Sequence, residues 1–347
     1  MGKTTRVTKF MVSKESITQV FNEILNNTIN KCWTKDQIRE KLSSLSYNDQ
    51  FQQLQEQGLL NPLEEKDYNK KQERLKTLDD YFEEHGTDDL FGAEVSMYEE
   101  RERLVDDLFY YGRRLIEGLT YKPIPNIDKS KFKQEEQWGG ENQHNLEWSS
   151  KQGILESKQI SAQQKAVKVD NSLEMFTDEY GIEYGRYKDM RLLAMDNYFD
   201  GDTQHINSTI SHEGYLKALD KEQRKQVKDI DSLMNDSPGL QQDTILYRGG
   251  HFDIHLKPGD NIKFKGYQST TFHKATSDVY KEDYGGYGDT NMTYVIHAPK
   301  GTKGIVGNDS RFTNNNWEHE YVLPRNTSMT ILSIDYDTMT CEVVIDG

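Results

Sequence analysis

Two segments in the second half of the chain carry side chains suited to holding a charged ligand. Arg248 ends an apolar run and is followed by Gly249 and Gly250. A guanidinium presents a planar fork of N–H donors that matches phosphate or carboxylate oxygens, and a glycine lets a ligand approach the backbone closely. The second segment is the hydroxyl run Ser269–Thr271. Taken alone, the first segment is typical of a surface turn and the second of an ordinary strand.

A third segment holds two acidic residues, Glu318 and Glu320, where the chain enters a predicted strand. Residues i and i+2 of a strand face the same side, so both carboxylates can reach one reacting centre. Two acids this close should titrate as a coupled pair, and a carboxylate can stabilise positive charge or accept a proton. His319 between them should point the other way and is interpreted as a surface histidine. Such an acid pair alone is typical of a solvated strand edge.

The order and context of the three segments resemble the Arg–Ser–Glu class of mono-ADP-ribosyltransferases, found among bacterial toxins, phage-encoded enzymes and vertebrate arginine-specific ecto-enzymes. Upstream, Tyr198–Gly201 followed by Ile206–Asn207 is similar to the early helix of this family. Downstream, Ala275 and Tyr280 fall where the family commonly places an alanine and an aromatic residue. The resemblance extends over residues 165–347 in the correct order.

The resemblance implies an enzyme that cleaves NAD between nicotinamide and ribose. Arg248 would bind the pyrophosphate, and the Gly249 backbone would hydrogen-bond the nicotinamide amide. Bond cleavage develops positive charge on the ribose, as in glycoside hydrolysis, and Glu320 would stabilise that charge and contact a ribose hydroxyl. Ser269 would hold the Glu320 carboxylate in place. The NAD-binding residues implied in this way are Arg248, Gly249, Ser269, Thr270, Thr271, Tyr280 and Glu320.

The acceptor side of the site is also assigned by the resemblance. Arginine-specific relatives use the first acid, here Glu318, to bind and deprotonate the acceptor guanidinium, which is a poor nucleophile while charged. Trp317 and Phe312 lie in the preceding turn, which in this family recognises the substrate protein, and an exposed aromatic residue there is typical of an interaction anchor. Tyr280 is expected to stack on nicotinamide, with Tyr284 as the substitute. The implied catalytic residues are Arg248, Ser269, Glu318 and Glu320. One departure from the pattern is Thr271, where serine is commoner.

Composition limits the partners. The formal net charge of −15 gives no general attraction to nucleic acid or to an anionic membrane, and suits basic partners such as proteins with exposed arginine. The two cysteines, Cys32 and Cys341, belong to no CxxC or Cys/His cluster, so no metal and no second cofactor is expected. No signal peptide and no run of the roughly 18 apolar residues that span a bilayer is found. The expected location is the cytoplasm of a bacterial host, with carriage in a virion as an alternative.

The chain is expected to divide into three parts. Residues 1–121 show apolar residues at helical spacing and predict a helical module. Residues 122–160, which contain prolines, a glycine pair and many polar residues, predict a linker or long loop. Residues 161–347 predict the catalytic domain. Helices followed by short strands favour an α+β fold, with two small antiparallel sheets and a helical cap. Strands are predicted at 244–248, 261–264, 266–271, 292–297, 304–306, 320–323, 329–335 and 340–345.

Three functions remain open from the sequence. The first is transfer of ADP-ribose to arginine of a host protein, by a phage effector or toxin. The second is the same chemistry on a nucleic-acid acceptor, which the acidic charge disfavours. The third is a non-enzymatic virion component with a decayed domain. A toxin of a phage-defence or toxin–antitoxin system, with an antitoxin or inhibitory partner, is the close rival for the setting, and an exported effector is another.

Overall fold

In the computed structural model, the residues described are 14–29, 34–87, 92–117, 122–135, 153–177, 183–200, 204–213, 216–283, 291–312 and 319–347. The chain divides into two compact units, Met1–Lys122 and Pro123–Gly347. The sequence placed the end of the helical module at residue 121. Among the described residues, no helix has both the length and the apolar character needed to cross a membrane.

The first unit is helical throughout its described residues. Asn61 and Glu64 form a capping box at the start of a long helix, and Pro62 occupies the first turn, where its missing N–H is not needed. Gly86, with φ of 79°, ends that helix in a backbone conformation that glycine adopts without strain. The helices are α1 (Lys14–Ile29), α2 (Lys35–Leu42), α3 (Tyr47–Glu56), α4 (Pro62–His85) and α5 (Ala93–Glu117).

Aromatic rings form the centre of the first unit. Phe51 of α3 stacks on Tyr68 of α4 with ring centroids 3.5 Å apart, and Tyr111 of α5 meets both rings edge-on. The Tyr111 hydroxyl donates to the Glu64 carbonyl at 2.7 Å, which satisfies a polar group that is otherwise buried. The unit therefore has its own core.

The second unit begins mainly with helices and ends mainly with strands, as predicted, but the sequence did not predict the strands Leu173–Thr177 and Glu183–Tyr187 or the helix Lys274–Asp283. Its helices are α6 (Ile154–Ala166), α7 (Met190–Phe199), α8 (Gln204–Glu213), α9 (Lys221–Asp236) and α10 (Lys274–Asp283), with 3-10 turns at Lys129–Lys131 and Leu216–Ala218. Its strands are β1 (Leu173–Thr177), β2 (Glu183–Tyr187), β3 (Thr244–His251), β4 (Asn261–Lys263), β5 (Gln268–Thr271), β6 (Asn291–Ala298), β7 (Ile305–Val306), β8 (Glu320–Leu323), β9 (Ser328–Asp335) and β10 (Thr340–Ile345).

Within the described residues, eight of these strands form one sheet in the order β4-β9-β10-β6-β3-β5-β8-β7, and β1 pairs with β2 in a separate hairpin. The α+β class is confirmed. The expectation of two small sheets is wrong, because these eight strands form one continuous sheet, whose two sides join where Tyr247 of β3 pairs with Thr271 of β5. The purely antiparallel expectation is wrong at one place, because β6 and β10 are parallel.

A helical layer covers the β5-β8-β7 side of the sheet. Leu192 and Met195 of α7 and Ile230 and Leu233 of α9 pack with Val322 of β8 in one buried cluster. On the other side of the β3–β5 junction, α10 lies against β3. The helices therefore bracket the place where the two sides of the sheet meet, and Arg248, Ser269 and Glu320 lie there.

Residues 123–135 and 153–160, which the sequence assigned to a linker, belong to the second unit. Lys133 bridges Thr244 at the start of β3, and its N–H donates to the Asp243 carbonyl at 2.9 Å. Glu135 is buried, and its carboxylate accepts the N–H groups of Ile154, Leu155 and Glu156 at 2.8, 2.7 and 3.2 Å. The Glu135 carboxylate can be buried because it satisfies the orphan N–H donors at the start of α6.

Candidate active site

Arg248 links the two sides of the sheet. Leu246 and Tyr247 precede it on β3 and are buried, whereas Arg248 is partly exposed. Its Nη1 donates to the carbonyl oxygen of Ser269 on β5 at 2.7 Å. That bond uses one of the five N–H donors of a guanidinium. The first two predicted segments are therefore neighbours in the fold.

Gly249 is required by packing. A Cβ built at this position would lie 2.2 Å from the Ser277 carbonyl oxygen and 2.5 Å from the Lys281 amide nitrogen, both on α10. No side chain fits at such distances, so any larger residue would push α10 away from β3. The predicted contact of the Gly249 backbone with nicotinamide stays a prediction.

The hydroxyl run lies on β5, and each hydroxyl has a partner. Ser269 Oγ lies 3.0 Å from the hydroxyl of Tyr198, which comes from α7. Thr270 Oγ1 donates to the Tyr321 carbonyl of β8, and Thr271 Oγ1 accepts the His273 N–H at 3.1 Å. The two threonines thus tie β5 to β8 and to the turn that follows β5, while Ser269 connects the strand to the helical layer.

The helical layer also supports the approach to β5. Asn207 of α8 accepts the Tyr267 N–H at 2.8 Å and donates to the Tyr267 carbonyl at 3.1 Å. Tyr267 in turn donates to Asp231 at 2.8 Å, and Arg325 binds the same carboxylate, with its Nη2 at 2.8 Å. Burial raises the pKa of Tyr267, with the Asp231 charge acting in the same direction, so the ring stays a neutral donor.

Glu320 is the first residue of β8 and pairs with Thr271 of β5. Ser269 pairs with Val322, so Ser269 and Glu320 are diagonal neighbours on one face of the strand pair. The Glu320 side chain is only 5% exposed, and its carbonyl accepts the Gly307 N–H at 2.9 Å. Backbone bonds on both sides therefore hold the predicted catalytic carboxylate in a low-dielectric position beside the hydroxyl run.

Several predicted residues lie outside the described part of the chain. These residues are Glu318, Trp317 and Tyr284. Tyr280 is described; it lies on α10 and is half-buried. Its stacking on nicotinamide, like the acceptor role of Glu318, stays a prediction.

The expectation of an exposed aromatic residue at Phe312 is wrong. The Phe312 side chain is 5% exposed, and its ring meets Phe199 of α7 with centroids 5.0 Å apart. Asp309, three residues earlier, forms an ion pair with Arg311 and accepts a hydrogen bond from Gln163 of α6. The bond to Gln163 fixes this turn against the helical layer. Phe312 is buried because the turn is tied down by polar contacts that local sequence does not reveal.

The sequence led us to interpret His319 as a surface histidine, and this expectation is wrong. Its side chain is 14% exposed, and its Nδ1 lies 2.7 Å from Oε2 of Glu156, whose side chain has no exposed surface. His273 stacks on the His319 ring with centroids 4.1 Å apart, and burial, followed by the His319 charge, lowers the pKa of His273 to about 4. Neither Glu156 nor His273 was singled out from the sequence, because each stands in a polar stretch without a motif.

Glu156, His273 and His319 also have side chains of the types that bind metal ions. Among the described residues, one donor atom from each of Glu156, His273 and His319 lies within 4.8 Å of the others. The 2.7 Å contact between Glu156 and His319 is a hydrogen-bond distance, shorter than the separation of two ligands on a tetrahedral zinc ion. The expectation that the protein needs no metal stays a prediction.

Comparison with known proteins gives one family. The model of the ADP-ribosyltransferase exoenzyme family matches residues 136–346. A solved ADP-ribosyltransferase from Clostridium botulinum is 19% identical, with 46% of this chain and 87% of that chain covered and a TM-score of 0.36. The C3 exoenzyme from Clostridium limosum is 16% identical, with 55% and 90% covered and a TM-score of 0.36.

An ADP-ribosyltransferase toxin from Paenibacillus larvae is 15% identical, with 55% of this chain and 92% of that chain covered and a TM-score of 0.39. A search of curated proteins finds no significant match.

Proposed function

Because its family match spans residues 136–346, the chain belongs to the ADP-ribosyltransferase exoenzyme family, and we propose that it transfers ADP-ribose from NAD to arginine side chains of host proteins. Membership implies a transferase that uses NAD as its substrate. The observation that supports arginine as the acceptor is the acid pair Glu318 and Glu320. Glu320, its second member, is buried at the start of β8 beside the hydroxyl run.

NAD would be held at the junction of β3 and β5. Arg248 would direct its remaining N–H donors to the pyrophosphate, because a guanidinium fork matches phosphate oxygens. The contact between its Nη1 and the Ser269 carbonyl supports this role, since it limits where the guanidinium can point. Thr270 and Thr271 would keep β5 in place, and Tyr280 would stack on the nicotinamide ring.

Cleavage would depend on the Glu320 carboxylate. As the bond between nicotinamide and the ribose anomeric carbon lengthens, the bonding electrons leave with nicotinamide, and positive charge develops on the ribose. A fixed carboxylate in a buried site stabilises this charge where it appears. Ser269 would order Glu320, and the hydrogen bond between Ser269 and Tyr198 supports a fixed hydroxyl orientation.

Transfer would then need a neutral acceptor nitrogen. Glu318 would bind the acceptor guanidinium and take one proton from it, after which the nitrogen forms the new bond to the anomeric carbon. Water at the same position would give NAD hydrolysis instead. A variant lacking Glu318 is therefore expected to hydrolyse NAD without modifying protein, whereas a variant lacking Glu320 is expected to do neither.

The biological setting that we propose is a phage-encoded or toxin effector acting in the cytoplasm of a bacterial host. The net charge of −15 supports protein over nucleic acid as the acceptor, because nucleic acid would be repelled. An inhibitory partner, such as an antitoxin, belongs to the same proposal. The first unit would then serve targeting or inhibition.

The test is incubation of the full chain with labelled NAD and a bacterial lysate that is afterwards separated into protein and nucleic acid. The variants are Glu318→Gln and Glu320→Gln, and the control is Glu174→Gln, which removes an exposed acid on β1. Label on arginine, located by mass spectrometry and lost in both site variants, is the expected result. Label in the nucleic-acid fraction would overturn the protein acceptor. Absence of both labelling and NAD turnover would overturn the proposal that the protein is an enzyme.

A further inference from the structure

Helix α6 covers one edge of the large sheet, beside β7. Within the described part of the chain, β7 is the outermost strand on this side, and its two residues, Ile305 and Val306, pair with β8. An edge strand leaves backbone donors and acceptors without strand partners, and a strand of two residues has few bonds to hold it. The edge is completed by a side chain of α6, Gln163, which is 1% exposed.

Gln163 binds Val306 as a neighbouring strand would. In an antiparallel ladder, the N–H and the C=O of one residue point to the same side. Gln163 Oε1 accepts the Val306 N–H at 2.9 Å, and its Nε2 lies 3.4 Å from the Val306 carbonyl oxygen, to which it donates. The same Nε2 donates to the Asp309 carboxylate at 2.9 Å. One amide side chain thus supplies Val306 with both the acceptor and the donor of a peptide group.

The turn that follows β7 is tied to the same helix. Asp309, whose side chain has no exposed surface, pairs with Arg311, with an N–O distance of 2.6 Å. Arg311 Nη1 donates to the carbonyl of Val167, the residue that ends α6, at 2.7 Å. Gln163 and Arg311 therefore hold residues 306–311 against α6 from the two ends of this segment.

Strand β7 in turn holds the backbone of the predicted catalytic carboxylate. The Gly307 N–H donates to the Glu320 carbonyl at 2.9 Å, and Val306 pairs with Tyr321. Thr271 of β5 pairs with Glu320 from the opposite side. Because Gly307 follows Val306 directly, a displacement of Val306 would be transmitted to Glu320.

We infer that Gln163 is a positioning residue for cleavage of NAD: by completing the edge of β7, it fixes the Glu320 backbone from the side opposite to β5. This inference rests on the proposed function, since it takes Glu320 as the residue that stabilises positive charge on the ribose. Arg248, which would bind the pyrophosphate, donates to the Ser269 carbonyl, and Gln163 takes no part in that bond. Loss of the Gln163 amide should therefore slow cleavage more than it weakens NAD binding.

The test compares Gln163→Met with Gln159→Met in the full chain. Methionine keeps the length of the side chain but lacks the amide, so the packing is largely retained while the hydrogen bonds are lost. Gln159 is the matched control, because it is buried about one turn earlier on α6 and binds Gly239 and Gln241. Gln163→Asn, which keeps an amide on a shorter side chain, is a milder second variant. The kcat and KM of NAD hydrolysis are measured and referred to the folded fraction seen by circular dichroism.

The expected result for Gln163→Met is a fall in kcat on the order of tenfold, with the KM for NAD within about twofold of the wild type, because small misplacements of a reacting group have large kinetic costs. Gln163→Asn should give an intermediate kcat, and Gln159→Met should keep that of the wild type. Equal kcat values in Gln163→Met and Gln159→Met, or a change confined to KM, would overturn the inference. If Gln163→Met does not fold, Gln163→Asn is compared with Gln159→Met by the same criteria.

A second measurement does not depend on NAD. Hydrogen–deuterium exchange of peptides covering residues 305–312 and 319–323 should accelerate in Gln163→Met and stay unchanged in Gln159→Met, while peptides of β10 match the wild type in both. Unchanged exchange in Gln163→Met would overturn the anchoring of β7, whether or not the wild type turns over NAD. Absence of NAD hydrolysis in the wild type would instead count against the proposed function, so the two failures are distinguishable.

Discussion

Helices α9 and α6 of the second unit bury opposite kinds of side chain. The buried residues of α9 are Val227, Ile230, Leu233 and Met234. Those of α6 are Glu156, Gln159, Ile160 and Gln163. The buried residues of both helices recur at helical spacing, but those of α9 are all apolar, whereas those of α6 are polar except for Ile160.

The difference separates two ways of holding a helix in place. Apolar burial is non-directional and stabilises whatever packs closely, whereas hydrogen bonds between buried polar groups require particular partners at particular distances. Gln163 meets this requirement twice, accepting the Val306 N–H at 2.9 Å and donating to Asp309 at 2.9 Å. We expect α9 to contribute more stability and α6 to determine where the turn beside the active site lies.

The largest expected effect is on the apolar helix. Ile230→Ala should lower the free energy of unfolding by about 3–4 kcal/mol, because a fully packed side chain is replaced by a cavity. Urea denaturation followed by circular dichroism measures this. Ile154→Ala on α6, where the side chain is 62% exposed, is the control and should cost little. A loss below about 1 kcal/mol for Ile230→Ala would contradict the contrast.

Removing a polar anchor of α6 should cost less. Gln163→Ala should lower the free energy of unfolding by about 2 kcal/mol, since the Val306 N–H and the Asp309 carboxylate each lose a buried partner. The same urea titration applies, with exposed Ser161→Ala as the control. If both variants unfold at the same urea concentration, the polar face of α6 does not stabilise the unit.

The free energy of unfolding should also depend on pH, through the partly buried His273. Burial lowers the pKa of His273 to about 4, against about 6.5 in an unfolded chain, so the unfolded state takes up the proton first. The corresponding stability is complete above pH 6.5 and declines as the pH falls towards 4. Between pH 7.5 and 5 the wild type should lose roughly 1–2 kcal/mol more than His273→Gln. Equal losses in urea titrations at the two pH values would contradict this assignment.

The smallest effect is expected at the start of α6. Glu135→Gln keeps the shape of the side chain that caps Ile154, Leu155 and Glu156, but it removes the charge and replaces one accepting oxygen with an NH₂ donor, which should cost about 1 kcal/mol. The cost should shrink in high salt only slightly, because Glu135 is buried. Thermal unfolding compared with Glu174→Gln provides the measurement. If Glu174→Gln lowered the stability more than Glu135→Gln, the charge of Glu135 would not stabilise the start of α6.

Strands were the part of the fold most accessible to sequence reasoning. The bounds of β8 and β10 match the predicted ones, 320–323 and 340–345, because apolar and β-branched residues are concentrated there between turn residues. The hairpin of β1 and β2 was not predicted, since its strands carry little apolar alternation. The parallel pairing of β6 with β10 could not be predicted, because pairing joins residues far apart in the chain.

For the site, sequence reasoning found what belongs to a motif and missed what acts through distant contacts. Arg248 and Ser269 were expected to work together, and the structure places them in contact. Glu156 stands 163 positions before His319, and no local pattern links the two. Phe312 was expected at the surface, and its burial also depends on distant residues, since it packs on Phe199 of α7 and Gln163 of α6 binds Asp309 in the same turn.

The sequence by itself determined the α+β class and the approximate positions of the strands from β3 onward, because periodicity is a local property of the chain, and its ordered motifs carry the resemblance that implies NAD. Only the tertiary structure decided that both sides of the sheet join at Tyr247 and Thr271, that α6 belongs to the catalytic unit, and that His319 is held by a buried carboxylate. Buried polar contacts have no periodic signature, because each depends on a partner that the fold brings from elsewhere in the chain.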